Sequence, residues 1–221
     1  MFHSFGPATL PRAIDVHGVP AILRDLILMA LGAGLLILAS KIQIPLAPYP
    51  ITMQTAAVLF LGATYGMRLS GMTVGFWILL GVLGLNVFAD PGGIYAGLVT
   101  MGAEAGRNYM FGTFFGAQTA ILSAGFVWGF IPMAMIVGWA VQSGIARSPF
   151  QLTLAMLVAN ILLYVPGLIW VDYFMADMSF GWAFLGIFVG PYILTDLLKL
   201  AFAQVLAHHT HQAIMRFRGD D

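Results

Sequence analysis

Read for apolar and polar positions alone, the chain is a series of long apolar runs parted by short polar breaks. The runs cover about 21–40, 51–65, 69–88, 113–141, 150–170 and 182–207. Runs of this length predict helices, because a membrane β-barrel would show segments of about ten residues in strict alternation instead. The breaks carry their own signals. Pro45, Pro48 and Pro50 exclude a regular helix over 41–50. Gly66-Met67-Arg68 reads as a tight turn. The longest break, 89–112, holds Asp90, Glu104 and Arg107, and suits a lid over a pocket or a plain connector. It runs into a glycine-punctuated stretch whose true span is expected near 120–141. The second run is short and opens on Thr52, Gln54 and Thr55. The first carries Ala30 and Gly34, a small-xxx-small spacing that serves internal packing or an inter-subunit face equally well.

Composition turns these runs into a class. Of 221 residues, 60% are hydrophobic and 8% charged, against about 25% charged in an ordinary soluble domain. Too few charges remain to cover a water-exposed surface. The expected fold is therefore an all-α integral membrane protein with six transmembrane helices. Six spans put both termini on one side. If that side is the cytoplasm, it holds Arg12, Arg24, Arg68, Arg147, Arg216 and Arg218, while the outer side holds only Lys41 and Arg107. The positive-inside rule then makes the N- and C-termini cytoplasmic. The division is a cytoplasmic segment over 1–20, without a signal-peptide core, a membrane domain over 21–207 and a cytoplasmic tail over 208–221. The formal net charge is zero and no basic block suggests nucleic acid. There is no Cys, which removes disulfides and thiolate chemistry. His208, His209 and His211 have metal-like spacing but read as a solvated helix end, so no metal or cofactor is expected.

The last run contains the costliest residues of the chain. Asp196 and Lys199 are three apart, which puts them on one helix face. In hydrocarbon each charge costs about 2.5–3.5 kcal/mol on insertion scales, and such residues face partners, cavities or substrate paths. Asn160 and Tyr164, four apart in the fifth run, share a face of their own helix. An ion pair that merely locks two helices is the bland alternative.

Several blocks resemble one family. They are Pro48-Tyr-Pro-Ile-Thr-Met-Gln-Thr55, Gly66-Met-Arg-Leu69, Leu80-Leu-Gly-Val-Leu-Gly-Leu-Asn-Val-Phe-Ala89, Asn160-Ile-Leu-Leu-Tyr164, and Gly190-Pro-Tyr-Ile-Leu-Thr-Asp-Leu-Leu-Lys199. Together they resemble the BioY family of biotin transporters, the substrate-binding S components of energy-coupling factor (ECF) transporters. The chain departs from the family pattern near the expected mouth of the pocket. Asn86 stands where a proline is usual, Ile121-Leu-Ser-Ala-Gly-Phe126 where a Gly-Pro-Thr-Gly-Gly-Tyr block is usual, and the stretch before it is long.

The resemblance implies a biotin pocket in the cytoplasmic (inner) membrane, open to the outer side. Biotin offers two ureido N–H donors, a ureido carbonyl, an apolar bicycle and a carboxylate. Asp196 is then expected to accept from ureido N–H, and Lys199 to donate to the carbonyl while neutralising Asp196. Asn160 and Tyr164 complete the polar wall, with Gln54, Thr52 and Asn86 added to it, and Arg107 or Lys41 meets the carboxylate. The resemblance also implies partners: a transmembrane coupling (T) subunit and ABC-type ATPases, with the Ala30–Gly34 face as docking surface, and action alone as the alternative. No phosphate-loop motif occurs in this chain itself. The competing readings are an S component for another vitamin, an intramembrane enzyme and a structural membrane subunit. The enzyme reading is poor, since the runs hold no His and only one deeply placed carboxylate.

Overall fold

The structure is a computed structural model and describes residues 9–13, 20–44, 50–83, 85, 87–89, 124–174 and 181–218. In chain order the described elements are α1 (Leu10–Ala13), α2 (Ala21–Lys41), β1 (Gln43–Ile44), β2 (Ile51–Thr52), α3 (Gln54–Tyr65), α4 (Met67–Val82), α5 (Ala124–Gln142), α6 (Pro149–Phe174), α7 (Trp182–Phe188) and α8 (Gly190–Arg218). Among them α2, α5 and the Pro149–Asp172 part of α6 are long and apolar enough to cross a membrane. At 1.5 Å per residue, the 21 residues of α2 reach about 31 Å, close to the hydrocarbon thickness of a bilayer. The helix α4 is apolar but shorter.

The centre of the bundle is α3. Its 12 residues reach only about 18 Å, yet it packs on α2, α4, α5, α6 and α8. Buried residues run right round it, from Gln54 and Thr55 through Val58 and Leu59 to Tyr65. Lipid accepts an apolar face but not unpaired amide and hydroxyl groups, so a short helix that opens on Gln54 and Thr55 is enclosed by its neighbours. That placement brings its polar first turn, Gln54 and Thr55, into the interior.

Helices fall on each of the six apolar runs with shifted ends, the part of the fourth run before residue 124 lying outside the described residues. The proline-rich break forms a small antiparallel hairpin, with Gln43 opposite Thr52 and Ile44 opposite Ile51. Gly66 makes the α3–α4 turn at φ +81°, a conformation that suits glycine. The third run ends as a helix at Val82 instead of continuing to 88, because the chain folds back and buries Phe88 on Trp77. The sixth run is two helices. Val189 leaves helical geometry (φ −121°, ψ −47°) just before Gly190-Pro191, where proline lacks the N–H needed to continue α7. Beyond Ala207 there is no break: α8 continues through the histidines to Arg218.

Small residues govern how closely α5 and α6 pack. A Cβ on Gly167 would lie 2.4 Å from the Phe126 ring, and one on Gly125 would lie 2.3 Å from Trp170 Cβ. The resulting close approach sets Phe126 edge-on to Tyr164, with ring centroids 5.7 Å apart. On α8, Tyr192, Asp196, Lys199, Ala203 and Ala207 form one buried stripe. Ile193, Leu194, Leu198 and Phe202 are exposed on the opposite side. The two charges therefore lie in the inward stripe of their helix.

Candidate functional site

One cavity collects most of the polar residues singled out in the sequence. It encloses about 600 Å³ of empty space, counting the part continuous with the outside. The hairpin contributes Pro50, Ile51 and Thr52, and the first turn of α3 contributes Gln54 and Thr55. Phe126, Val127 and Phe130 of α5, Leu163 of α6 and the ring of Tyr192 of α8 form apolar wall, while Tyr164, Asp196 and Lys199 bring polar atoms to it.

Asp196 is the hub of the polar wall. It is 8% exposed, and Lys199 is 7% exposed. Lys199 Nζ donates to Asp196 Oδ1 at 3.0 Å. Tyr164 Oη donates to Asp196 Oδ2 at 2.6 Å, and Asn160 Nδ2 reaches the same oxygen at 3.5 Å. A carboxylate has about four acceptor sites, so these three donors leave room for one more. An ammonium has three donors, and among the described residues Lys199 serves one acceptor, Asp196. The ion pair thus retains both accepting and donating capacity beside a hollow.

Gln54 adds a donor of fixed orientation. Thr52 Oγ1 donates to Gln54 Oε1 at 3.0 Å, and the Gln54 backbone N–H points back at Thr52 Oγ1 at 3.4 Å. A hydroxyl bonding its neighbour's backbone in this way is a common device at the start of a helix. With its oxygen occupied, the Gln54 amide leaves Nε2 buried and without a partner among the described residues. A buried, unpaired donor costs about 1–3 kcal/mol, and in a cavity wall it is a place for a ligand acceptor.

The remaining sequence candidates fall elsewhere. Asn160 is buried and bonded to Asp196 but is not part of the cavity wall; it backs the carboxylate. Lys41 donates to the Phe88 carbonyl at 2.9 Å and does not line the cavity. Asn86, Arg107 and the break over 90–112 lie outside the described residues. Ala30 is exposed, and a Cβ on Gly34 would meet nothing within 4 Å, so this pair looks outward from α2. The glycine that packs internally is Gly32, where a Cβ would come 2.6 Å from Thr73 Cγ2.

Sequence reasoning missed the apolar wall. Tyr192 could have been found, since it precedes Asp196 by four residues and Lys199 by seven, the recurrence of one helix face. Phe126 and Phe130 have the same four-residue spacing, but no sequence signal separates a wall facing a cavity from one facing a core.

Known proteins share this architecture and sequence. A family model described as the BioY family matches residues 11–216. A biotin transporter BioY of Thermotoga maritima is 27% identical over 189 residues, covering 84% of this chain and 94% of that protein. A biotin transporter BioY2 of Lactococcus lactis subsp. cremoris is 25% identical over 195 residues, covering 84% and 93% respectively. A probable biotin transporter BioY of Rickettsia prowazekii is 25% identical over 161 residues, 73% of this chain and 72% of that protein. Among solved structures, the S-component for biotin from an ECF-type ABC transporter superposes with a TM-score of 0.64 at 16% identity, covering 86% of this chain and 92% of that one. At that identity the likeness concerns the fold.

Proposed function

This chain belongs to the BioY family, and from that premise we propose that it is a biotin transporter subunit of the S-component type, a membrane protein that captures biotin in the cavity between α3, α5, α6 and α8. The observation that carries the reading is the Asp196–Lys199 pair, 3.0 Å apart, buried, and exposed to a hollow on one side. Asp196 accepts from ureido N–H at its remaining acceptor site. Lys199 donates to the ureido carbonyl and offsets the charge of Asp196. Tyr164 and Asn160 hold that carboxylate in place from α6. The Gln54 amide N–H supplies a further donor, and Thr52 fixes its direction. Phe126, Phe130, Leu163 and Tyr192 give the bicycle its apolar walls. The resemblance adds Asn86 as a ligand contact and Arg107 as the partner of the ligand carboxylate; both lie outside the described residues.

In this reading the membrane domain over 21–207 crosses the cytoplasmic membrane six times, with both termini inside and the mouth of the cavity outside. Three helices long and apolar enough to cross support the membrane placement, and the excess of basic residues on one side supports the orientation. Release inward is driven by a T subunit and ABC-type ATPases, which dock on the outward-looking Ala30–Gly34 face of α2. The chain itself catalyses no reaction in this account.

The test is direct. The purified protein in detergent is titrated with biotin, thiamine and riboflavin by calorimetry. Binding of biotin alone, one per chain, is the expected result. Binding of another vitamin in its place moves the protein to a different substrate, and binding of none removes the capture reading.

A further inference from the structure

Ala89 lines the cavity, and the way the chain before it is held has no part in the polar chemistry above. After α4 the chain curls back on the helix it has left: Leu85 N–H donates to the Leu80 carbonyl at 3.1 Å, and Val87 N–H to the Leu85 carbonyl at 2.8 Å. The indole N–H of Trp77, fully buried, donates to the Val87 carbonyl at 3.1 Å. The Phe88 ring stands edge-on to Trp77 with centroids 5.0 Å apart. It lies over Gly81, where a Cβ would come within 2.1 Å of two ring atoms. The last hold comes from a different part of the chain. Lys41, at the end of α2, donates from Nζ to the Phe88 carbonyl at 2.9 Å.

Lys41 is also the residue from which the hairpin departs. The Ile42 carbonyl accepts from Met53 N–H at 3.1 Å, and the next two residues pair with Thr52 and Ile51. Pro50, Ile51 and Thr52 line the same cavity as Ala89. One lysine therefore joins two walls, the hairpin through its backbone and the 87–89 segment through its side chain. A lysine in the last turn of a helix is ordinarily stabilised by the helix dipole alone while its head stays in water. Here the ammonium also reaches a carbonyl 47 residues away.

We propose that Lys41 and Trp77 are positioning residues that clasp the 87–89 segment against the hairpin, and that this clasp sets how fast ligand leaves the cavity. The inference rests on the capture reading only in its second half. The native chain has no Cys, so Ala89→Cys introduces a single thiol at a wall position that is 9% exposed. Its rate of labelling by a small maleimide is measured with Lys41 native, with Lys41→Met, with Lys41→Arg and with Trp77→Phe, which keeps a ring and removes the N–H. Labelling about tenfold faster in Lys41→Met and Trp77→Phe is expected, the effect of losing one such hydrogen bond, with Arg restoring the slow rate. Equal rates in all four overturn the clasp. So does faster labelling that tracks a loss of thermal stability and is not recovered by Arg. In chains without the thiol, dissociation of labelled biotin is expected to quicken by a similar factor in Lys41→Met while association changes little. An unchanged dissociation rate overturns the kinetic role. If the native protein binds no biotin, the capture reading fails, and the labelling rates still decide the clasp.

Discussion

Replacing Asp196 by Asn keeps the shape of the side chain and removes its charge, and the structure says what each neighbour then does. Oδ1 faces Lys199 at 3.0 Å, and Oδ2 faces Tyr164 at 2.6 Å and Asn160 at 3.5 Å. An ammonium cannot accept a hydrogen bond, so the amide oxygen must stay toward Lys199. The amide nitrogen then turns to Tyr164, whose hydroxyl can rotate to accept. A ligand N–H loses a charged acceptor and meets at best a neutral one, and Lys199 is no longer neutralised beside the ligand. Hydrogen bonds to charged groups contribute about 1.5–3 kcal/mol and neutral ones about 0.5–1.5. With the disturbance at Lys199 added, the loss is about 2–4 kcal/mol, or roughly 30- to 1,000-fold in affinity. The single variant also leaves a buried cation without its partner, a defect of about 3–5 kcal/mol in soluble proteins before any relaxation. The double variant Asp196→Asn with Lys199→Met separates the two effects, because removing both charges of a buried pair is near neutral for stability. Calorimetry with biotin and thermal unfolding of the ligand-free protein in detergent are the assays. The single variant is expected to fall in both, and the double variant to recover its unfolding temperature but not its affinity. Native affinity in the single variant, or affinity that returns with stability in the double, refutes the reasoning and leaves the pair as a helix lock.

Tyr164→Phe keeps the ring against Phe126 and deletes one donor to Asp196, so biotin affinity should drop about tenfold or more in calorimetry while the fold persists. Gln54→Leu removes a buried amide N–H that has no partner among the described residues. Its expected signature is opposite in sign for the two assays: affinity falls about tenfold, and the unfolding temperature of the ligand-free protein stays level or rises. Gly34→Leu adds bulk where a Cβ meets nothing, and Gly32→Leu adds it where a Cβ already lies 2.6 Å from Thr73. The first should leave purified biotin binding unchanged and lower uptake in cells that carry the partner subunits. The second should lower thermal stability by about 1–3 kcal/mol, the usual cost of overpacking.

How much of this was legible in the chain can be seen residue by residue. The class followed from 8% charged residues and the apolar runs, since no tertiary arrangement can hide so little charge over so much apolar surface in water. The Asp196–Lys199 pair was legible for the same reason: a charge carried into an apolar helix is costly wherever that helix sits, so its presence alone signals a use. Helix spacing put Asn160 and Tyr164 on one face of α6. It could not tell that Tyr164 would reach the cavity while Asn160 stayed behind the carboxylate. That difference depends on how α6 is rotated against α5, which the close contact between Gly167 and Phe126 decides. Nor did the runs foresee that α3, the shortest and most polar at its start, would be surrounded on all sides. Its apolar residues run right round it, and such a helix shows no preferred neighbour until the others assemble. The early end of α4 belongs to the same category, set by where Phe88 found Trp77, whereas the break at Val189 has a local cause in Pro191. Sequence by itself determined the solvent this protein belongs in and the charged residues at its heart, because hydration costs are local to each side chain. Only the tertiary structure decided which side chains share the hollow, because that depends on the rotation and approach of helices far apart in the chain.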